Sequence, residues 1–338
     1  MKRKRGVRMK TIADIAKLAG VAKSTVSRYL NGGSISDKTK QKIERIIEET
    51  GYTPNAFAQS LKAKKTNMVG VIVPRLDSYE ASQILIGIEN ELRLLNSQML
   101  VSHTNQSIER EIETLHTLAK QKVAGILLLA SQITDAHVQA IQEIDVPVLL
   151  VGQEHEGIHS LVHSDEEAGY AMGKYIIEQG HRRLAFLGVT EANRAVGFKR
   201  KEGFKRAVRE VSNCEVHYFE TGLTMHEAVE GALAVFDGYF PSALICATDE
   251  IAIGAVKAAY KKGMHVPANI SVTGFGDYDI TAMMNPALTT VKLYFAEIGR
   301  TAAQHIIQLA NEKDVPMLTH SSFEIVTRES VDKRFVPN

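Results

Sequence analysis

The chain has no tryptophan and only two cysteines, Cys214 and Cys246, in 338 residues. Two thiols build no disulfide framework and, by themselves, no zinc site. Long apolar runs are missing as well. The longest candidate, Val123 to Ala130, is strand-sized and far short of a membrane span. The basic start, Met1 to Met9, is followed by no apolar stretch, so no secretory signal is legible. No Gly-x-Ser-x-Gly elbow, Walker loop or pair of acids at catalytic spacing occurs. These absences point away from an enzyme, a metalloprotein, a membrane protein and an exported sugar carrier. They point towards the bacterial-type cytoplasm, with no cofactor. The 44% apolar content is ordinary for a globular chain, and the length suits two or three units with real cores.

Net charge is also nearly absent, at +1, but the balance hides an asymmetry. Residues 1–65 carry 16 Lys+Arg against 5 Asp+Glu, a net of +11, and the remainder carries −10. A small cationic module attracts polyanions, of which DNA is the commonest in that compartment. A mere solubilising tail would lack apolar periodicity, and this segment has it. Thr11 caps a first helix with Asp14 in a capping-box position, and Ile12, Ile15, Ala16 and Ala19 share one face. Gly20 breaks it. Lys23 to Leu30 forms a second helix with Val26 and Leu30 inward, closed by Asn31-Gly32-Gly33. Ser36 caps a third, whose Ile43, Ile46 and Ile47 complete a small core before Gly51.

Two short helices around a glycine turn, the second polar and basic, form a helix-turn-helix pattern. By residue type Arg28 and Lys23 suit guanine edges and Ser24 either base class. Thr25, Ser27 and Asn31 suit phosphates. The competing reading is a three-helix bundle with a solvated charged face.

Thr11-Ile-Ala-Asp-Ile-Ala-Lys-Leu-Ala-Gly-Val-Ala-Lys-Ser-Thr-Val-Ser-Arg-Tyr-Leu-Asn31, Ser36-Asp-Lys-Thr39 and Gly51-Tyr-Thr-Pro-Asn55 together resemble the lactose/galactose repressor family. The likeness continues through Ala56 to Thr66 and on along the whole chain. It implies a hinge helix after Pro54-Asn55 that orders on operator DNA. It also implies that Leu61 is wedged into the minor groove, at an unstacking cost recovered through bending. Family members begin close to the first helix, which makes Met9 an alternative start.

From about residue 66 short apolar runs alternate with helix-length amphipathic segments. Strands are expected at Met68 to Pro74, Gln98 to Ser102, Gly125 to Ala130 and Val146 to Val151, then at Leu184 to Gly188, Glu215 to Phe219, Ala243 to Ala247 and Ile270 to Gly274. Helices are expected near 80–95, 107–121, 134–143, 166–179, 195–210, 225–236 and 249–262. Such alternation means parallel sheets with helices on both faces, here repeated as two lobes. Gly231, Gly254 and Gly299, inside helices, allow close packing. The fold class is thus an all-α helix-turn-helix head plus an α/β core of two doubly wound parallel-sheet lobes. The resemblance makes that core periplasmic-binding-protein-like, with three crossings between lobes. A helix near 294–311 returns to the first lobe and a strand near Phe323 to Val326 to the second. The boundaries follow: 1–54 for the head, 55–65 for the hinge, 66–161 with 292–322 for one lobe, and 162–291 with 323–338 for the other.

In open α/β sheets ligands sit beyond the strand carboxyl ends. Residues there include Arg75 and Asp77, Gln153, Thr248 and Asp249, and Asp277. The family's effector-clasping arginine matches Arg200, its Asn-Asp pair matches Thr248-Asp249, and Phe295 opens the returning helix. Gly152 and Gly276 stand where relatives carry acids. Losing those acids while gaining Arg75 makes the cleft more tolerant of anions, and a guanidinium suits bidentate phosphate contact. The competing role for Arg75 is a surface salt bridge with Asp77 or Glu80. That for Arg200 is a helix-surface charge. Arg75-Leu-Asp-Ser78, Gly152-Gln153, Gly188-Val-Thr-Glu191 and Ala195-Val-Gly197 look closest to Gram-positive sucrose operon repressors and are similar to trehalose ones. Both likenesses imply a phosphorylated disaccharide effector, sucrose 6-phosphate first. His155, His159 and His163 recur every four residues, but the surrounding glycines argue against a helix that would align them on a metal.

A single helix-turn-helix reads a half-site, so a homodimer on a palindromic operator is expected. The Tyr79 to Leu95 helix offers apolar surface for it. No leucine heptad follows Thr327-Arg-Glu-Ser330, so no coiled-coil tail is expected. The expectation is therefore a sugar-responsive repressor, released when effector closes the lobes. The alternatives are a global carbon regulator controlled by a phosphorylated carrier protein and a co-repressed regulator of another sugar or nucleoside pathway.

Overall fold

The computed structural model describes residues 10–30, 33–52 and 66–334. Two compact units divide at Thr66 and Asn67. Among the described residues no helix is long and apolar enough to cross a membrane.

The first unit holds α1 (Ile12–Ala19), α2 (Lys23–Leu30) and α3 (Asp37–Thr50). Thr11 and Asp14 close a full capping box, and Gly20 ends α1 in the left-handed conformation. Ile15, Ala16, Ala19, Val26, Ile43 and Ile46 form its buried core, with Ile12, Leu30 and Ile47 packed against it. Ser36 has the extended N-cap backbone but makes no side-chain cap to the helix. Its hydroxyl lies 2.8 Å from that of Thr39 instead.

In the second unit the first lobe comprises β1 (Met68–Val73), α4 (Tyr79–Leu94), β2 (Gln98–His103), α5 (Ile108–Lys120), β3 (Gly125–Leu128), α6 (Asp135–Gln142), β4 (Val148–Val151) and β5 (Ser160–His163). The chain then enters the second lobe with α7 (Asp165–Glu178) and β6 (Arg183–Gly188). A wide π turn, Arg194–Lys199, runs straight into α8 (Arg200–Arg209). After it come β7 (Glu215–Glu220), α9 (Met225–Gly238), β8 (Ala243–Cys246), α10 (Asp249–Lys261), β9 (Ser271–Gly276), α11 (Asp279–Ala282) and β10 (Thr289–Leu293). It crosses back as α12 (Phe295–Ala310) and β11 (Leu318–Ser321), and crosses a third time to β12 (Phe323–Val326).

The sheet orders are β11-β5-β4-β3-β1-β2 and β12-β10-β9-β8-β6-β7. All pairs are parallel except β10 with β12. The central strands read as continuous apolar runs because helices cover both faces: β3, β4 and β8 are wholly buried. Strands β5, β10 and β11 escape the apolar-run reading because Ser, His and Thr interrupt them. Strand β5 carries the first lobe to His163, beyond the boundary placed at 161. Strand β10 likewise carries the second lobe to Leu293, two residues past the boundary placed at 291.

Helices α4 and α12 cross almost backbone to backbone. A Cβ on Gly87 would lie 2.1 Å from the Ala296 carbonyl oxygen, and one on Gly299 2.2 Å from that of Ile84. Helices α9 and α10 do the same at Gly254, where a Cβ would lie 2.6 Å from the Ala228 methyl. The π turn replaces the first turn of the helix expected from 195. There Asn193 Oδ1 accepts from Val196 N at 3.0 Å, and a Cβ on Gly197 would lie 2.0 Å from the Thr190 carbonyl.

Candidate functional site

On the first unit the outer face of α2 exposes Lys23, Ser24 and Arg28, while Thr25 and Ser27 are half-buried. Val26 anchors the other side in the core. Thr11 stands apart from that face, its hydroxyl donating to Asp14 Oδ2 at 2.8 Å. Tyr29, on the flank, donates to Glu44 Oε1 at 3.1 Å and fixes α2 to α3. An eight-residue helix held to the core by Val26, Tyr29 and Leu30, with Lys23, Ser24 and Arg28 exposed, has the shape and charge to lie in a major groove. Asn31, Asn55 and Leu61 lie outside the described residues.

Between the lobes two connected cavities open. The outer one, of about 970 Å³, has Arg75, Asp77, His103, Glu111, Gln132 and Glu227 in its wall. The inner one, of about 110 Å³, includes Glu80, Gln153, His163, Asp165, Arg200 and Tyr278. Arg75, Ser131, Asn193 and Leu223 border both. The strand-end rule explains the place: β1 delivers Pro74-Arg75, β4 Gly152-Gln153, and β8 leads to Thr248, whose hydroxyl accepts from Ile251 N and starts α10.

Of the residues expected there, Arg75, Gln153, Arg200 and Thr248 border the inner cavity, and Asp77 the outer. Arg200 is no helix-surface charge. It is 2% exposed, donates from Nε to Asp165 Oδ1 at 2.7 Å and from Nη1 to the Ala247 carbonyl at 2.7 Å. Its guanidinium lies 5.3 Å from the centre of the Phe275 ring. Arg75 grips Asp77 with two hydrogen bonds, of 2.9 and 3.1 Å, the pairing weighed against a phosphate role. Gln153 Nε2 reaches Asn193 Oδ1 across the lobes at 3.5 Å. Lys199 makes a second crossing contact, 2.6 Å from Glu154.

Three expected residues are held away from the cavity walls. Asp249 is buried beneath, accepting from Tyr278 N at 2.9 Å and from the Thr290 hydroxyl, and burial pushes its carboxyl up to about 6. Asp277 faces Arg328 and Lys292, which neutralise it. Phe295 is buried among His163, Tyr79 and Tyr278. Acids that the strand-end reading did not name also face the cleft. Glu80, Asp165 and Glu250 border the inner cavity, and desolvation holds the Glu80 and Glu250 carboxyls above their ordinary range.

The sequence reading did not place Asp165, Tyr278 or Asn193 in the cleft, and named Glu80 only as a possible salt-bridge partner of Arg75. Tyr278 fills the space beside Gly276 that a side chain there would need. Gly276 has φ 145°, and a Cβ there would meet the Tyr278 ring at 2.3 Å. The same ring stacks on Tyr79 of the other lobe, centroids 4.3 Å apart. Glu80 follows the Ser78 cap at a strand-to-helix turn, a place the strand-end rule could have flagged. The three histidines share no helix: His163 ends β5, and His155 bridges Ile158 in a loop. Among the described residues no group of three potential metal ligands gathers.

Residues 11–55 match the model for bacterial regulatory proteins of the lacI family, and 174–331 that for a periplasmic binding protein-like domain. The sucrose operon repressor of Staphylococcus xylosus is 40% identical over 302 residues, covering 89% of this chain and 94% of that one. Catabolite control protein A of Priestia megaterium is 30% identical over 316 residues, 90% and 94% of the two chains. The lac repressor dimer bound to operator and the anti-inducer ONPF superimposes with a TM-score of 0.90 at 26% identity, over 96% of this chain and 100% of that one. With a basic three-helix head and a two-lobed α/β core matched over almost its full length, the chain belongs to the lacI family of bacterial regulatory proteins, DNA-binding transcriptional repressors and not enzymes.

Proposed function

We propose that this repressor controls a sucrose-utilisation operon, binds its palindromic operator as a homodimer and lets go when a sugar phosphate, sucrose 6-phosphate, occupies the cleft. The observation that carries the reading is Arg75 at the carboxyl end of β1, among the described residues the one with a permanent positive charge that borders both cavities. Its partner Asp77 is 74% exposed, so an incoming phosphate can displace that carboxylate at little cost and take the bidentate face. The 40% identity to a sucrose operon repressor supports the sugar. On DNA, Arg28, Lys23 and Ser24 read base edges, Thr11, Thr25, Ser27, Asn31 and Asn55 hold the backbone, and Leu61 is the minor-groove wedge.

Fluorescence anisotropy of labelled operator tests this directly. Sucrose 6-phosphate should weaken operator binding roughly 5- to 150-fold, the range of common allosteric couplings, and sucrose much less. Arg28→Ala should remove the preference for operator over random duplex while salt-sensitive binding persists. Indifference to every sugar phosphate, with tightening by a phosphorylated carrier protein, would replace this reading by the global-regulator one, which the likeness to catabolite control protein A keeps in view.

A further inference from the structure

The imidazole of His163 is 3% exposed. Its Nδ1 lies 2.9 Å from the Ser321 hydroxyl, and Phe295 meets the ring edge-on at 5.2 Å. Its Nε2 is buried with no hydrogen-bond partner, and the ring borders the inner cavity. The nearest acid, Glu80 Oε1, is 3.9 Å from that nitrogen, too far for a hydrogen bond. A buried polar atom left unpaired is costly, so a site that keeps one is shaped for something that completes it.

We propose that His163 Nε2 and the Glu80 carboxylate together receive one uncharged ligand hydroxyl, so that the effector lies with an unphosphorylated ring at the crossings between lobes and any phosphate at the Arg75 mouth. This rests on the reading of the cleft as a sugar-effector site and adds the ligand's direction within it. An oxygen can stand within hydrogen-bond range of both atoms across a 3.9 Å gap. Burial keeps the imidazole neutral, its pKa down at about 4, so one ring nitrogen donates and the other accepts. Because the Ser321 hydroxyl can serve either role at Nδ1, Nε2 can be donor or acceptor. A ligand hydroxyl complements both. A phosphate or carboxylate could only accept, and would face Glu80 and Glu250. The inner cavity is the smaller of the two and shares Arg75 with the outer one, which sets the order ring first, phosphate last.

Calorimetric titration of the full-length protein with sucrose 6-phosphate, sucrose, trehalose 6-phosphate, trehalose, glucose 6-phosphate and fructose tests this. His163→Phe, which keeps the ring contact with Phe295 and removes the nitrogen, should weaken the sugars that bind roughly ten- to hundredfold, by the same factor with or without phosphate. His163→Gln, which restores a hydrogen-bonding group, should recover much of that loss. Arg75→Ala should weaken only the phosphorylated forms. Circular dichroism melts report whether each variant folds. Wild-type affinity in His163→Phe overturns the proposal, as does a loss confined to phosphorylated sugars. Binding of none of the six by the wild type overturns it too. A His163-dependent sugar that leaves operator binding untouched would instead sink the operon reading and spare this one.

Discussion

Arg200 and Asp165 are separated by 35 residues and meet at 2.7 Å, both almost fully buried. Removing one member of such a pair strands the other charge in a poor solvent, at a cost of about 3–5 kcal/mol, whereas replacing both by apolar side chains can be near neutral. Arg200→Met should therefore lower the denaturation midpoint sharply, and Arg200→Met with Asp165→Leu should win much of it back. A single substitution costing under about 1 kcal/mol would show the pair to be solvated after all. Arg200 was legible from its match to the family's effector-clasping arginine. Asp165 was not, because a carboxylate at the start of a helix reads as a favourable dipole contact wherever its side chain points. His163 hid for a similar reason: Ser321, which orients its ring, lies 158 residues away.

At the level of elements, the helices were legible from their amphipathic period and their Ser and Thr caps, and the central strands from their unbroken apolar runs. The strands interrupted by polar residues were not. Four-residue β5 (Ser-Leu-Val-His) and β11 (Leu-Thr-His-Ser) show neither an unbroken apolar run nor a regular alternation, and only the neighbouring strands supply the pairing that makes them sheet. The crossing of α4 and α12 shows a second kind of hidden information. Gly87 reads as a helix-weakening residue, yet it meets the Ala296 carbonyl across the contact. Gly87→Ala should improve helix propensity by up to about 1 kcal/mol and still destabilise the protein, because a methyl group cannot fit where a Cβ would stand 2.1 Å from an oxygen. Thermal melts decide this, and a stabilised variant would mean that the helices can part at no cost.

Across the whole molecule, two buried histidines resist acidification. Burial holds His163 and His181 down at about 4, and His181 is fixed by the Ser242 hydroxyl and the Asp332 carbonyl. Both are neutral when folded and would protonate near 6.5 when unfolded, so their stabilisation is present above 6.5 and is lost as pH falls towards 4. Asp249, raised to about 6, works in the opposite sense, since its share is present below 3.8 and is lost as pH rises through 6. The Glu80 and Glu250 carboxyls, also held up by desolvation, side with Asp249, so the prediction is a difference: on acidification from 6.5 to 4 the melting temperature of His181→Gln should fall less than that of the wild type. Parallel profiles for wild type and variant would remove His181 from the account. The three passages between lobes carry a last consequence. The Ser164 hydroxyl donates to the Ser321 carbonyl at 2.8 Å, stitching the first passage to the third. Neither lobe is a continuous stretch of gene product: a protein truncated after residue 163 would lack α12 and β11 and bare the apolar flank of α4. A protease nick in any single passage would still leave two covalent straps, so the halves can be pried apart only by severing all three.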